Sequence, residues 1–180
     1  KDIIIKNIIR SIKISVGVST KDQFETALLY QDISSIYTDY DGFSLEQLID
    51  MSKVAANSDK KFFILLPHIC RLRVYEKLYK DIVTLLKHDE VKGFILKNFE
   101  EVGLLQEIFI SSGQDKEVRL NHNMYIFNQD AKMFWMEKGI NQFTAPIELN
   151  EKELKDLGLQ DCELMVYGYQ PLMVSVQCLH

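Results

Sequence analysis

"KFFILLPHICRLRVYEKLYKDIVTLLKHDEVKGFILKN", residues 61–98, contains two short apolar runs, 61–68 and 91–98, on either side of a segment with helical spacing, 73–89. Short runs rich in aromatic and β-branched residues are typical of buried strands, and apolar residues at helical spacing are typical of a helix. A helix between two such strands normally makes them parallel, with a right-handed crossover. These residues therefore predict one unit of a parallel α/β fold.

The same alternation extends along the chain. Further strands are predicted at 13–19, 33–40, 117–127, 140–149 and 163–169, and further helices at 20–31, 44–58, 99–113, 128–139 and 150–158, with helical spacing also at 1–12. The expected N-caps are Thr20, Ser44, Asn128 and Asn150, and the expected helix stops are Gly113, Gly139 and Gly158. Seven strands and their helices predict a (β/α) TIM-barrel-like fold of class α/β with seven parallel strands, incomplete or irregularly closed.

A doubly wound open sheet is the alternative architecture. Such a sheet normally binds phosphates through a glycine-rich turn after its first strand. Here that turn reads "VGVSTKDQF", residues 16–24, without the motif. The barrel-like arrangement is therefore favoured.

Length and composition suit one globular domain. The chain has 180 residues, 47% of them hydrophobic, and no linker rich in Pro, Gly or Ser, so we expect a single domain over residues 1–180. It begins with Lys and ends directly after an apolar run, which indicates a piece of a longer protein.

Charge and apolar patterning narrow the function classes. The formal net charge of -5 counts against sequence-independent binding to nucleic acid, DNA in particular. No run is long enough to span a membrane and the start is too charged for a signal peptide, so we expect a cytoplasmic protein without membrane contact. The three cysteines include no close pair, so neither a disulfide framework nor a self-contained zinc site is indicated.

In a parallel barrel the ligand site lies at the carboxyl ends of the strands, so the residues just past each apolar run are candidates. Asp39 and Asp41 follow the second strand, where they suit either acid–base chemistry or a simple turn, and the turn is favoured. The third strand is followed by His68, Cys70 and Arg71. His68 and Arg71 suit an anionic substrate or a solvated loop, and Cys70 suits a small buried residue better than a nucleophile.

Amides are concentrated after the next strands. Lys97 and Asn98 follow the fourth strand, and Asn121, His122, Asn123 and Asn128 lie in or after the fifth. Buried amides must be hydrogen-bonded, so this segment either lines a polar cavity or holds neighbouring loops in place. Glu148 after the sixth strand is either a general base or a loop residue before the Asn150 cap. No Ser-His-Asp, HExxH, P-loop or dinucleotide motif is present.

Four segments together resemble the collagenase-like peptidase family U32. They are "LLPHICR" (65–71), "GFILKNFEE" (93–101), residues 121–154, and "ELMVYGYQPLMVSVQC" (163–178). The matching positions are Asn123, Asn128, Ala131, Gly139, the Glu148–Leu149 pair and residues 163–173. The last element is the most specific, because Tyr-Gly-x-x-Pro-Leu-Met is followed five residues later by Cys178.

The resemblance implies a barrel fold and two candidate activities. Family members are called peptidases of unassigned catalytic type, and several members hydroxylate nucleobases in RNA, or a quinone precursor, with an iron–sulfur cluster. In either case the implied substrate cavity is lined by Asn121, Asn123, Asn128, Glu148, Tyr167 and Tyr169, with Asp39, Lys97 and Asn98 as secondary candidates. The alternative is a barrel-like module of a longer protein that binds RNA or another partner without catalysis.

Cys178 matches the first of the family's clustered cysteines. A [4Fe-4S] cluster usually needs four thiolates, and Cys70 and Cys162 do not match the pattern. The resemblance therefore implies a cluster only in the full-length protein, with the remaining ligands outside this chain and no cofactor in residues 1–180. The alternative for Cys178 is a buried thiol at a strand end. The implied partners are the rest of the same longer chain and a peptide or RNA substrate.

Overall fold

The computed structural model describes residues 12–70, 72–158 and 162–169. The strands are β1 (Ile14–Val18), β2 (Ile33–Asp39), β3 (Lys61–Leu65), β4 (Val91–Leu96), β5 (Glu117–Leu120), β6 (Gln142–Thr144) and β7 (Cys162–Glu163). The helices are α1 (Lys21–Leu29), α2 (Leu45–Asn57), α3 (Leu72–Leu85), α4 (Phe99–Ser112), α5 (Gln129–Glu137) and α6 (Glu151–Leu157), with single 3-10 turns at Tyr40–Gly42 and His122–Met124.

The order of strands in the sheet follows the order of the chain, from β1 to β7. The pairings β1–β2, β4–β5, β5–β6 and β6–β7 are parallel. In a doubly wound sheet, the order of the strands would instead reverse at a switch point. The fold class is α/β and TIM-barrel-like, with seven parallel strands, as the sequence predicted. It is incomplete because β1 and β7 end the sheet within the described residues.

The chain forms two compact units. The first contains the described residues up to Ile64 together with His88–Lys92. In this unit the Phe24 ring meets the Phe62 ring edge-on, with 6.2 Å between the ring centroids. The buried Lys60 Nζ donates to the carbonyl oxygens of Tyr30 at 2.6 Å and Ile33 at 2.9 Å. The Lys60 ammonium group therefore stabilises the loop that leads into β2.

The second unit contains Leu65–Lys87 and the described residues from Gly93 onwards. Its core consists of apolar side chains of α3, β4 and α4 that are fully buried or nearly so: Leu78, Ile82, Leu85, Phe94, Ile95, Leu96, Leu104, Leu105 and Ile108. Trp135 is buried against Phe99, with 5.5 Å between the ring centroids, and therefore serves packing.

Gly93 allows β4 and β5 to approach each other closely. A Cβ at this position would lie 1.9 Å from the carbonyl oxygen of Glu117 on β5. No side chain fits at that distance, so the pairing of β4 with β5 requires glycine here.

The expected helix caps are confirmed. The side chains of Thr20, Ser44, Asn128 and Asn150 each accept a backbone N–H in the first turn of the following helix. Gly113, Gly139 and Gly158 have positive φ angles of 66°, 80° and 77° where helices α4, α5 and α6 end. Short polar side chains and glycine are what these positions require.

Three predicted strands are wrong in part. The strand predicted at 163–169 covers only Cys162–Glu163, and residues 164–169 have no regular structure. The strand predicted at 140–149 covers only Gln142–Thr144, because Pro146 lacks the N–H that a longer ladder needs. The strand predicted at 117–127 ends at Leu120, where polar side chains of the next residues compete with the ladder. The helix predicted at the start of the chain falls on residues 1–11, outside the described residues.

Among the described residues, no helix has the length and apolar character needed to cross a membrane.

Candidate active site

The site forms where β4 ends and α4 begins, in the second unit. Asn98 is the N-cap of α4, and its Oδ1 accepts the backbone N–H of Glu101 at 2.9 Å. In return Glu101 Oε2 accepts the backbone N–H of Lys97 at 2.7 Å and that of Asn98 at 3.3 Å. This reciprocal capping box folds the Glu101 side chain back over the end of β4.

Glu101 is fully buried, and the environment changes its acidity. Burial raises the pKa of the Glu101 carboxyl to about 7, although the hydrogen bonds from Lys97 and Asn98 and the positive charge of Lys97 oppose the rise. Its Oε1 atom is buried without a hydrogen-bond partner among the described residues. A carboxyl with this pKa exists as a mixture of protonated and ionised forms at neutral pH.

Asn98 also holds the loop that follows β3. Its Nδ2 donates to the carbonyl oxygens of Pro67 at 3.2 Å and His68 at 3.4 Å. In the same loop, burial raises the pKa of the Cys70 thiol, and the negative charges of Glu101 and Glu100 raise it further. Cys70 therefore stays a protonated thiol at neutral pH, which is a poor nucleophile.

A chain of amide hydrogen bonds runs from the end of β4 to a histidine. Asn123 Nδ2 donates to the Lys97 carbonyl oxygen at 2.8 Å, and Asn121 Nδ2 donates to Asn123 Oδ1 at 3.0 Å. Asn121 Oδ1 then lies 3.3 Å from His122 Nδ1. We call Lys97, Asn123, Asn121 and His122 the amide relay.

The amide relay fixes the tautomer of His122. A backbone carbonyl can only accept, so Asn123 and then Asn121 must each present its NH₂ group toward Lys97 and its oxygen toward the histidine. His122 Nδ1 therefore carries the proton and donates to Asn121, and Nε2 keeps its lone pair. Nε2 is the atom of this ring that can accept a proton.

Electrostatics keep His122 neutral. The ring is partly buried, and burial lowers its pKa; the carboxylate of Glu148 raises the pKa and the positive charge of Lys97 lowers it. A lowered pKa favours neutral imidazole at neutral pH. His122 can thus act as a general base, with Glu148 placed to stabilise the imidazolium that forms.

The structure brings together four of the residues that the sequence singled out: Lys97, Asn98, Asn121 and Asn123. Asn98 and Asn123 hold loops through hydrogen bonds to backbone carbonyls, and Asn121 links Asn123 to His122. Glu148 is exposed, and its charge acts on His122.

The other candidates take no part in the hydrogen bonds of the amide relay. Asn128 caps α5 and lines a surface pocket of about 400 Å³ that also contains Phe127, Asp130 and Glu153. Tyr167 and Tyr169 are 94% and 101% exposed. Asp39 ends β2 in the first unit, and Asp41 lies in the 3-10 turn after it, as the turn interpretation predicted. Arg71 and Cys178 lie outside the described residues.

Sequence reasoning missed Glu101 entirely. Asn98 and Glu101 have the N-cap and N3 spacing of a capping box, which the sequence alone could have revealed. His122 was noted only as part of a polar segment, because the direction of the amide relay depends on a contact with Lys97, twenty-six residues away from Asn123.

The described residues do not fit an iron–sulfur cluster. They contain no group of three or more His, Cys, Asp or Glu side chains that could hold a metal ion. Cys70 and Cys162 form no disulfide within the described residues. A cluster held by four thiolates would need ligands from beyond them.

The parallel sheet defines a (β/α) barrel-type protein, and the amide relay lies at the carboxyl ends of its strands. The model of peptidase family U32 matches residues 36–180, and the chain belongs to that family. A search of curated proteins found none that matches the chain.

Proposed function

We propose that the protein is a hydrolytic enzyme of family U32 that cleaves a peptide bond with His122 as general base. The amide relay is the observation that carries this proposal, because it supports a neutral imidazole with its Nε2 lone pair available. A base held in one tautomer by a hydrogen-bonded partner is a recurrent device of hydrolytic sites.

The proposed step is a water attack. His122 Nε2 takes a proton from water while the water oxygen bonds to the carbonyl carbon of the substrate. The positive charge of Lys97 stabilises the oxyanion that develops. As the C–N bond breaks, the imidazolium returns its proton to the leaving amine. Glu148 stabilises the imidazolium between these two transfers.

The test is peptide and gelatin cleavage by purified full-length protein. We expect His122→Ala to lower kcat by about 10²- to 10⁴-fold, the usual contribution of a general base. His88→Ala is the matched control, because His88 lies in the first unit, and it should leave cleavage unchanged. Equal activity of His122→Ala and wild type, or a wild type that cleaves neither substrate, would overturn the proposal.

The second candidate function is iron–sulfur-dependent hydroxylation of RNA or a small aromatic substrate. It is supported by membership of family U32 and by the segment 163–178, which ends in Cys178. Full-length protein purified without oxygen would show the visible and electron paramagnetic resonance spectra of a cluster. A colourless protein without bound iron would exclude this candidate.

A non-catalytic binding module is the third candidate. It is supported by the use of Asn98 and Asn123 to hold loops. It predicts that full-length protein binds a peptide or an RNA and that His122→Ala leaves this affinity unchanged. With either catalytic candidate we propose a cytoplasmic location.

A further inference from the structure

The backbone of Lys97 is held from two sides. Its N–H donates to Glu101 Oε2 at 2.7 Å, and its carbonyl oxygen accepts from Asn123 Nδ2 at 2.8 Å. Glu101 therefore contacts the residue at which the amide relay begins. A shift in the Glu101 carboxyl would move the Lys97 backbone and pass along the relay to His122.

The side chain of Lys97 provides a second connection. Its positive charge favours the ionised form of Glu101 and disfavours the protonated form of His122. When Glu101 is ionised, its negative charge offsets the charge of Lys97 near the ring. His122 then experiences less repulsion and becomes a stronger base.

We propose that Glu101 is a positioning residue that acts on His122 through Lys97, so that the proton on Glu101 sets the orientation and basicity of the histidine. This proposal rests on the proposed function of His122. Glu101 itself is fully buried and does not contact substrate in this arrangement.

The unpaired oxygen of Glu101 makes ionisation of this carboxyl energetically costly. Oε1 is buried without a hydrogen-bond partner among the described residues, so these residues supply the ionised form with no donor at that oxygen. Lys97 supplies the neighbouring positive charge. The loop after β3 carries two titratable groups, His68 and Cys70, and the charges of Glu101 and Glu100 both act on Cys70. The negative charge that Glu101 gains on ionisation therefore acts on Lys97, the residue that also acts on His122.

The test is a titration of His122 by NMR in full-length protein labelled with ¹⁵N-histidine. His122→Gln identifies the signal by its disappearance. In wild type we expect the His122 signal to show two inflections: its own, below the ordinary histidine value, and a second near pH 7 from Glu101. Glu101→Gln keeps the shape of the side chain but cannot ionise, so the second inflection should vanish.

Two further variants separate positioning from loss of structure. Lys97→Met should weaken the second inflection and move it above pH 7, because it removes the shared charge while the backbone contacts remain. Glu148→Gln should lower the pKa of His122 but keep the inflection near pH 7, because it removes a different charge. In a peptide assay, Glu101→Gln should lower kcat by about tenfold or more with unchanged KM, as expected for a misplaced base.

The outcomes distinguish the two proposals. If Glu101→Gln or Lys97→Met leaves the His122 titration identical to wild type, the positioning role is overturned. If both inflections behave as expected but no peptide is cleaved, the positioning role stands and the hydrolytic function fails.

Discussion

Glu101 meets two opposing requirements at one position. As the N3 residue of a capping box it must accept backbone N–H groups, which favours an ionised carboxylate, yet its complete burial favours the protonated acid. The pKa of about 7 shows that burial outweighs the hydrogen bonds. The protein therefore maintains an energetically costly carboxyl at the end of β4.

That cost predicts a pH-dependent stability. Because the folded-state pKa of Glu101, about 7, exceeds the ordinary glutamate value of 4.5, its contribution to stability is full below about pH 4.5 and is lost as pH rises through 7. Gln at this position does not ionise and so does not lose this stability. Between about pH 5 and about pH 8.5, the free energy of unfolding of Glu101→Gln should therefore rise by up to about 3 kcal/mol relative to that of wild type.

Urea unfolding at both pH values measures the difference. Glu100→Gln is the matched control, because Glu100 is exposed at the adjacent position, and its pH dependence should follow wild type. A constant difference between Glu101→Gln and wild type across the range would show that Glu101 is already ionised in the folded protein.

At the scale of the element, the amide relay depends on the pairing of β4 with β5. Lys97 directly follows β4, and Asn121 directly follows β5. The register of the two strands places Leu96 opposite Leu120, so that Lys97 and Asn121 follow at the same edge of the sheet. The backbone N–H of Asn121 also donates to the Leu96 carbonyl oxygen at 2.8 Å. The close approach permitted by Gly93 therefore supports the geometry of the amide relay.

Gly93→Ala tests this dependence. The new Cβ would lie 1.9 Å from the Glu117 carbonyl oxygen, so β4 and β5 must separate, and we expect a loss of about 3 kcal/mol or more in the free energy of unfolding. Gly103→Ala is the control: a Cβ there meets nothing within 4 Å and Gly103 lies inside α4, so stability should rise by about 0.5–1 kcal/mol. Equal effects of the two substitutions, measured by urea unfolding, would contradict the role of Gly93.

Local sequence signals predicted elements better than they predicted the site. The strand predicted at 33–40 and the helix predicted at 44–58 lie within one residue of β2 and α2 at each end, because apolar runs and the Ser44 cap act over a few residues. The ends of β5, β6 and β7 were missed because they depend on side-chain competition, on Pro146 and on the length of a neighbouring strand. Asn123 shows the limit most clearly, since its role depends on the Lys97 carbonyl rather than on its neighbours in sequence.

At the scale of the whole molecule, the family U32 match includes far more residues than the amide relay. The family match extends over residues 36–180 and includes both Glu101 and Cys178. The amide relay lies within the described residues, whereas Cys178 lies outside them. The two catalytic proposals therefore depend on different parts of the chain and can be tested separately.

Cys178→Ser tests the iron–sulfur proposal in the full-length protein. If Cys178 is a cluster ligand, replacing its thiolate with a weaker hydroxyl ligand should reduce bound iron and visible absorbance severalfold after purification without oxygen. Cys70→Ser is the matched control, because the Cys70 thiol has a raised pKa and does not match the family's cysteine pattern, and it should keep wild-type iron content. Iron content unaffected by Cys178→Ser would exclude this cysteine as a ligand. His122→Ala with full iron but no peptide cleavage would place the chemistry at the amide relay instead.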